Sequence, residues 1–217
     1  LSLTTSSYTD LAGNAGPSAT TANYEVETWA PSVNVNGVEI TSATDIQNNF
    51  LNAGDNVSVT VTFRESVIVD NASGTPTLTL VVGTINPKAT YTSGSGGTTM
   101  VFRYTIQAGE TDDNGISIGA NVLALDNGTI SDPAGNNATL THSAVSDNNS
   151  YMVDTEAPRV DNFTLSDTAL KIGDNATVSL VFSEAVASFS SAVDITVPNL
   201  DNGTTSGTLA AMTSSDN

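Results

Sequence analysis

Hydrophobic and polar residues alternate with a period of two along most of the chain. In "NVSVTVTFRESV" (56–67), Val57, Val59, Val61 and Phe63 are separated by polar or charged neighbours. The stretches "TPTLTLVV" (75–82), "TTMVFRYTIQ" (98–107) and "ATVSLVFSEAV" (176–186) read the same way. Alternation of this kind turns one face of an extended chain toward a core and the other toward water, so it predicts strands. No stretch carries a convincing helical period. Turn clusters lie between the strands: "SGSGG" (93–97), "ETDDNG" (110–115) and "LDNG" (125–128 and again 200–203). Short strands broken by turns about every 8–12 residues predict an antiparallel β-sandwich. Phe50, Phe63, Phe102 and Phe182 are expected in its core.

The pattern repeats. "YEVETWAPSV" (24–33) aligns with "YMVDTEAPRV" (151–160) at an offset of 127, Tyr24 to Tyr151. "NAGDNVSVTVTFRESV" (52–67) aligns with "KIGDNATVSLVFSEAV" (171–186) at an offset of 119, Phe63 to Phe182. A third pair is "TDLAGNAG" (9–16) and "SDPAGNNA" (131–138), which share Asp-x-x-Gly-Asn at an offset of 122. Repeats of this kind mark tandem modules. "VETWAP" and "VDTEAP" end in proline, which keeps the preceding residue extended, and they read as linkers. The expected organisation is then the closing strands of a preceding module plus linker (1–28), one complete module (29–155) and the opening strands of a following module (156–217). Such a chain is either a window on a longer repetitive protein or a unit whose open ends are completed by neighbouring copies.

Charge narrows the function classes. The net charge is −18, from 23 acidic and 5 basic residues, so nucleic acid and anionic membrane, which need basic patches, are not expected partners. Carboxylates this dense must be screened by salt or neutralised by cations. A solvating acidic surface has the same composition, so acidity alone does not define a metal site. With no cysteine there is no disulfide, thiolate metal site or cysteine nucleophile. No apolar run approaches ~18 residues, so no membrane insertion is expected. "LSLTTSSY" lacks the basic start and apolar run of a signal peptide, which suits an internal or mature segment.

"VDTEAP", then "LSDTALKIGDNATVSLVFSEAV", then later Asp-x-x-Gly-Asn resembles the bacterial Ig-like tandem repeats of large secreted surface adhesins. The middle module looks like a longer relative. The resemblance covers essentially the whole chain; the motifs are short, and their order and spacing carry it. It implies tandem Ig-like antiparallel β-sandwich modules, one whole and two partial, with Greek-key connections. It also implies an extracellular, cell-surface location and calcium-dependent extender modules. Glu27 stands where the second copy has Asp154, and Trp29 replaces the usual small polar residue.

In an Ig-like sandwich the loop after the second strand and the loop between the last two strands both lie beside the incoming linker. "FRESV" ends the second strand, "DPAGN" joins the last two, and "VETWAP" is the linker. Calcium takes roughly 6–8 oxygen ligands. Glu27, Glu65 and Asp132 could supply carboxylate oxygens and Asn136 a carbonyl, with Gly135 allowing the tight turn. The same rule pairs Asp154 with Glu184 in the following module, and leaves Asp10 and Asn14 without a second-strand partner. The competing reading is an Asx turn whose carboxylate binds backbone N–H groups. In "ETDDNG", Asp112 and Asp113 lack the spacing of an EF-hand and read as a solvated turn.

Nothing points to an enzyme. His142 is the sole histidine, without a second one for zinc, and reads as a surface or strand residue. Lys88 and Lys171 could enter a Lys–Asn cross-link, but "LKIGDN" reads as a turn. Trp29 reads as an inter-module spacer. The reading is a non-enzymatic structural repeat segment of an extracellular surface adhesin or fibre, a calcium-rigidified extender. Its partners would be neighbouring Ig-like modules of the same or an adjacent chain. One alternative is a self-assembling filament or surface-layer subunit, a homopolymer completed by neighbouring copies. Another is a glycan- or protein-binding adhesin module.

Overall fold

The computed structural model describes residues 2–4, 8–22, 26–171, 173–187, 189, 190 and 195, and the second "LDNG" lies outside them. Among the described residues there are strands and turns and no helix. The strands in chain order are β1 (Ser2–Leu3), β2 (Ala19–Thr20), β3 (Val33–Ala43), β4 (Phe50–Leu51), β5 (Asn56–Asp70), β6 (Thr77–Thr79) and β7 (Lys88–Ser93). They continue as β8 (Gly97–Thr105), β9 (Thr111–Asp112), β10 (Leu123–Ala124), β11 (Thr129–Ser131), β12 (Met152–Asp154), β13 (Val160–Leu165) and β14 (Val178–Phe182). The chain divides into two compact units, residues 1–155 and 156–217.

In the first unit the spine is β5. Val57, Val59, Val61 and Phe63 are buried, while Ser58, Thr60 and Thr62 between them are half-exposed. The period of two therefore sets which face meets the core. Antiparallel β8 runs along one stretch of β5 (Asn56 opposite Thr105, Thr62 opposite Thr99). β3 pairs with the same stretch, Val33 opposite Phe63 and Ala43 opposite Val57. Past Phe63 the pairing passes to β11, Ser131 opposite Ile68 and Thr129 opposite Asp70. The larger sheet thus runs β10-β6-β7-β8-β5-β11, with β3 also on β5. A second sheet has the order β4-β12-β9. One hydrophobic core takes residues from both sheets, including Phe63, Met100 and Phe102 from the first and Leu51 and Val153 from the second. This is the all-β sandwich architecture that the alternation predicts, consistent with the Ig-like sandwich that the resemblance implies.

Two details depart from the expectation. β12 pairs with β4 in parallel, Met152 opposite Phe50 and Val153 opposite Leu51. Parallel neighbours need a long connection, and these two strands come from opposite ends of the module sequence. Phe50 is not core: Leu51 takes the inward position of the two-residue β4, leaving Phe50 37% exposed.

The first "LDNG" is a tight turn between β10 and β11, which lie at opposite ends of the larger sheet. Asp126 and Asn127 have φ of 45° and 70°, and the Gly128 N–H donates to the Leu125 carbonyl at 2.8 Å. Two central residues with positive φ mark a type I′ turn, which favours Asp, Asn and Gly.

The second unit is described mainly as an antiparallel pair, β13 with β14. Val160 lies opposite Phe182, as Val33 lies opposite Phe63 in the first unit. The Ser183 N–H donates to the Arg159 carbonyl at 2.9 Å, and the Arg64 N–H donates to the Ser32 carbonyl at 2.9 Å. The two sequence offsets, 127 and 119, therefore recur as the same cross-strand register.

Candidate functional site

Both Asp-x-x-Gly-Asn stretches fold into one turn. In the first, the Asp10 N–H donates to the Asn14 carbonyl (3.0 Å) and the Gly13 N–H to the Asp10 carbonyl (3.0 Å). In the second, the Asp132 N–H donates to the Asn136 carbonyl (3.0 Å) and the Gly135 N–H to the Asp132 carbonyl (3.1 Å). Gly13 and Gly135 sit at φ of 87° and 95°, where a side chain would be strained. A three-residue loop closed this way is a type I turn followed by a left-handed residue.

Each carboxylate is used inside its own turn. Asp132 Oδ1 accepts the Asn136 N–H at 2.8 Å, and Oδ2 accepts the Asn136 side-chain amide at 2.7 Å. Asp10 Oδ1 accepts the N–H groups of Ala12 (2.8 Å) and Asn14 (2.9 Å), and Oδ2 accepts the Asn14 side-chain amide (2.8 Å). Burial pushes the Asp132 carboxyl upward, but hydrogen bonds from the Asn136 amide and from the N–H groups of Asn136, Gly135 and Ala134 outweigh it and hold it below the ordinary carboxylate range. Asp10 is also lowered, chiefly by the Asn14 side-chain amide and N–H. The carboxylates are thus engaged as those of an Asx turn would be.

The incoming linker is stitched to this turn and to β5. The Asn136 side-chain amide donates to the Glu27 carbonyl at 3.4 Å. The Thr139 N–H donates to the Pro31 carbonyl at 2.7 Å, and the Val33 N–H to the Thr139 carbonyl at 3.4 Å. With the Arg64 N–H on the Ser32 carbonyl, the backbones of the linker, of the middle of β5 and of the closing turn come together at one pole. "FRESV" lies inside the second strand and does not end it, because β5 runs on to Asp70 and pairs there with β11.

The side chains of the expected ligand set do not all follow. The Glu27 carboxylate accepts the N–H of Trp29 at 2.5 Å, within the linker itself. Glu65 is half-buried on β5, next to Arg64. Asp154 is half-buried at the end of β12, its backbone paired with Thr111 of β9. Glu184 is half-buried in the second unit, two residues past Phe182. Asp10 and Asn14 lie in the exposed N-terminal hairpin. Among the described residues no group of three or more His, Asp or Glu is placed to hold a metal ion.

Three buried carboxylates escape a reading by sequence. Asp112 is buried, and its Oδ2 accepts the Gly83 N–H (2.9 Å) while Oδ1 accepts those of Asn114 (3.2 Å) and Gly115 (2.9 Å). "ETDDNG" is therefore an anchor between two loops at Asp112, not a solvated turn, because Asp112 finds a backbone donor 29 residues away. Glu110 is buried and accepts the Tyr104 hydroxyl and, at 2.9 Å, the Gln107 N–H. Burial and then the Glu110 carboxylate push the Tyr104 hydroxyl far above the ordinary tyrosine value. Asp55 accepts the Asn52 N–H at 2.7 Å across "NAGD", and Asp174 accepts the Lys171 N–H at 3.2 Å across "KIGD". Sharing of "GD" by both copies is the one sequence signal for this last feature.

The outgoing end is fixed as well. The Thr155 hydroxyl accepts the Gly109 N–H at 2.8 Å and donates to the Glu110 carbonyl at 2.9 Å. His142 is buried, not a surface residue. Its Nε2 accepts the Val122 N–H at 2.9 Å while Nδ1 lies 2.9 Å from the Ser143 carbonyl, which assigns the proton to Nδ1. Lys88 pairs with Asp126 at 2.9 Å at an exposed site, where Asp126 also accepts the Thr77 hydroxyl at 2.5 Å.

Comparison with known families supports the architecture. Residues 154–217 match a family model described as Bacterial Ig-like domain. The comparisons with curated proteins and with solved structures find no match. The second unit is thus similar to a bacterial Ig-like repeat, and its opening register recurs in the first.

Proposed function

We propose that this chain is a structural, non-enzymatic spacer: tandem bacterial Ig-like modules that hold another part of a cell-surface protein at a distance. The observation that carries the reading is the treatment of the linkers. The incoming one is bonded through the carbonyls of Glu27, Pro31 and Ser32, and the outgoing one through the Thr155 hydroxyl. A spacer transmits position only if its joints resist bending, and hydrogen bonds between linker and module supply that resistance. Small-angle scattering of the whole chain tests it. The expected outcome is an extended particle whose maximum dimension shrinks in a Thr155→Val, Asn136→Ala double variant. A compact particle, or one indifferent to both changes, would contradict the reading.

The finer reading is a calcium-stiffened extender of an extracellular adhesin. It is supported by the net charge of −18 and by the meeting of linker, β5 and acidic turn at one pole. Calcium here would have to draw the Asp132 carboxylate away from Asn136. Thermal unfolding with calcium, with magnesium and with chelator decides it, because a ligand of the folded state raises the melting temperature with its concentration. A rise specific to calcium and lost in Asp132→Ala supports the site. Identical melts remove calcium from the account and leave the spacer reading intact.

A further inference from the structure

Each end of the first unit is tied, in parallel, to a segment from the far end of its own sequence. At the entrance, the Thr139 N–H donates to the Pro31 carbonyl at 2.7 Å and the Val33 N–H to the Thr139 carbonyl at 3.4 Å. These two bonds straddle Ser32, which bridges Thr139 in parallel. At the exit, β12 lies parallel to β4, Met152 opposite Phe50 and Val153 opposite Leu51. The Met152 N–H donates to the Asn49 carbonyl at 2.9 Å. The two ties are crossed, residue 32 to residue 139 and residue 50 to residue 152. Residues 51–138 therefore form a loop closed off by the ties, and that loop carries every strand from β5 to β11 and most of the buried core.

We propose that the two ties are shear clamps: tension that enters at Pro31 and leaves at Thr155 is carried across them and bypasses residues 51–138. Strand direction is the argument. Under tension the entering segment is drawn toward its N-terminal end, and Thr139 is drawn the opposite way by the chain that follows it. Parallel segments loaded like this slide along one another, so all the bonds between them are strained at once. β4 and β12 are loaded in the same sense. Antiparallel partners loaded from one end open bond by bond instead. β12 has such a partner in β9, which would part first at Asp154 and Thr111. The Thr155 hydroxyl closes that end through its bonds to Gly109 and Glu110.

The use of such clamps rests on the spacer reading, since only a joint under load needs them. Forced unfolding is governed by the rate of unfolding, not by equilibrium stability. A core kept out of the path of tension is thus protected for as long as the ties hold.

Optical-tweezer pulling in two geometries tests the clamps. With handles at the two ends of the whole chain, the first unit is recognised by the length it releases, 124 residues (155 minus 31) or roughly 400–450 Å of extended chain. With handles on Asn86→Cys and Ala108→Cys, both exposed sites in a chain that has no other cysteine, β7 is peeled from antiparallel β8 from one end. Expected is a severalfold higher unfolding force in the end-to-end geometry. Thr139→Pro removes the N–H bonded to Pro31, so it should lower the end-to-end force and leave the peeling force unchanged. Equal forces in the two geometries would overturn the proposal. So would an end-to-end force indifferent to Thr139→Pro in a variant of unchanged circular dichroism. If Thr139→Pro does not fold, the two geometries in the unsubstituted background still decide. Scattering of the unloaded chain speaks to the spacer reading alone: a compact particle that resists end-to-end force would remove the spacer and keep the clamps.

Discussion

The opening hairpins of the two units share a register and differ in burial. Val33 faces Phe63 and Val160 faces Phe182, the preceding carbonyl is bonded in each at 2.9 Å, and each second strand follows a Gly-Asp turn. Yet Phe63 is fully buried and Phe182 is half-buried, with Phe189 edge-on to it at 5.4 Å. Register is thus written locally, by alternation and by the turn, because a slip of one residue would exchange the two faces. Burial is supplied by elements distant in sequence: in the first unit by β8, β11 and the second sheet, which share the core with β5.

Truncating the two phenylalanines gives the largest expected contrast. Phe63→Ala opens a cavity among packed neighbours and should cost ~3–5 kcal/mol, read as a fall in the urea midpoint. Phe182→Ala should leave that transition nearly unmoved. Equal effects would mean that the second hairpin is packed as tightly in solution as the first.

Next in size are the buried polar anchors of the first unit, which have no described counterpart in the second. Asp112→Ala strands the N–H groups of Gly83, Asn114 and Gly115, at about 1–3 kcal/mol for each one that water cannot reach. His142→Phe keeps a ring but strands the Val122 N–H, so a loss of about 1–3 kcal/mol is expected. If His142→Phe were neutral by denaturant titration, the imidazole would be filling space and not holding the 119–122 loop.

These anchors also mark where reading by sequence stops. The inward face of β5 was legible because Val57, Val59, Val61 and Phe63 carry the period of a half-buried strand in their own order. The bonds of Asp10 and Asp132 were legible as one of two readings because every partner lies within four residues. Asp112 and His142 were not, since their decisive donors, Gly83 and Val122, lie 29 and 20 residues away and no local pattern announces them. Phe50 was misplaced because a two-residue strand has no period from which to take its phase. The ligand set around Asp132 was legible only as a meeting of backbones. Where a glutamate turns at such a pole depends on the nearest free donor, which for Glu27 is Trp29 of its own linker.

The smallest expected effect separates the two acidic turns. Asp10 and Asp132 are both held below 3.8, so whatever stability their ionisation contributes is complete above that pH and is lost as pH falls through the lower folded value. The turns differ in what they are attached to. Asp132 is 2% exposed, and its partner Asn136 also bonds to Glu27. Asp10 is exposed in a hairpin whose described bonds stay within residues 2–20. Protonating Asp132 should therefore loosen the whole first unit, while protonating Asp10 should only fray its hairpin, a local opening below the global transition. Urea midpoints measured from about pH 7 down to about pH 3 should fall below about pH 4 in the wild type. They should fall less steeply in Asp132→Asn and as in the wild type in Asp10→Asn. Hydrogen exchange at the Asn14 and Asn136 N–H groups should show the reverse order of sensitivity, with Asn14 opening first. If both substitutions altered the midpoint equally, the N-terminal hairpin would be part of the cooperative unit, and the contrast between the two turns would be one of exposure alone.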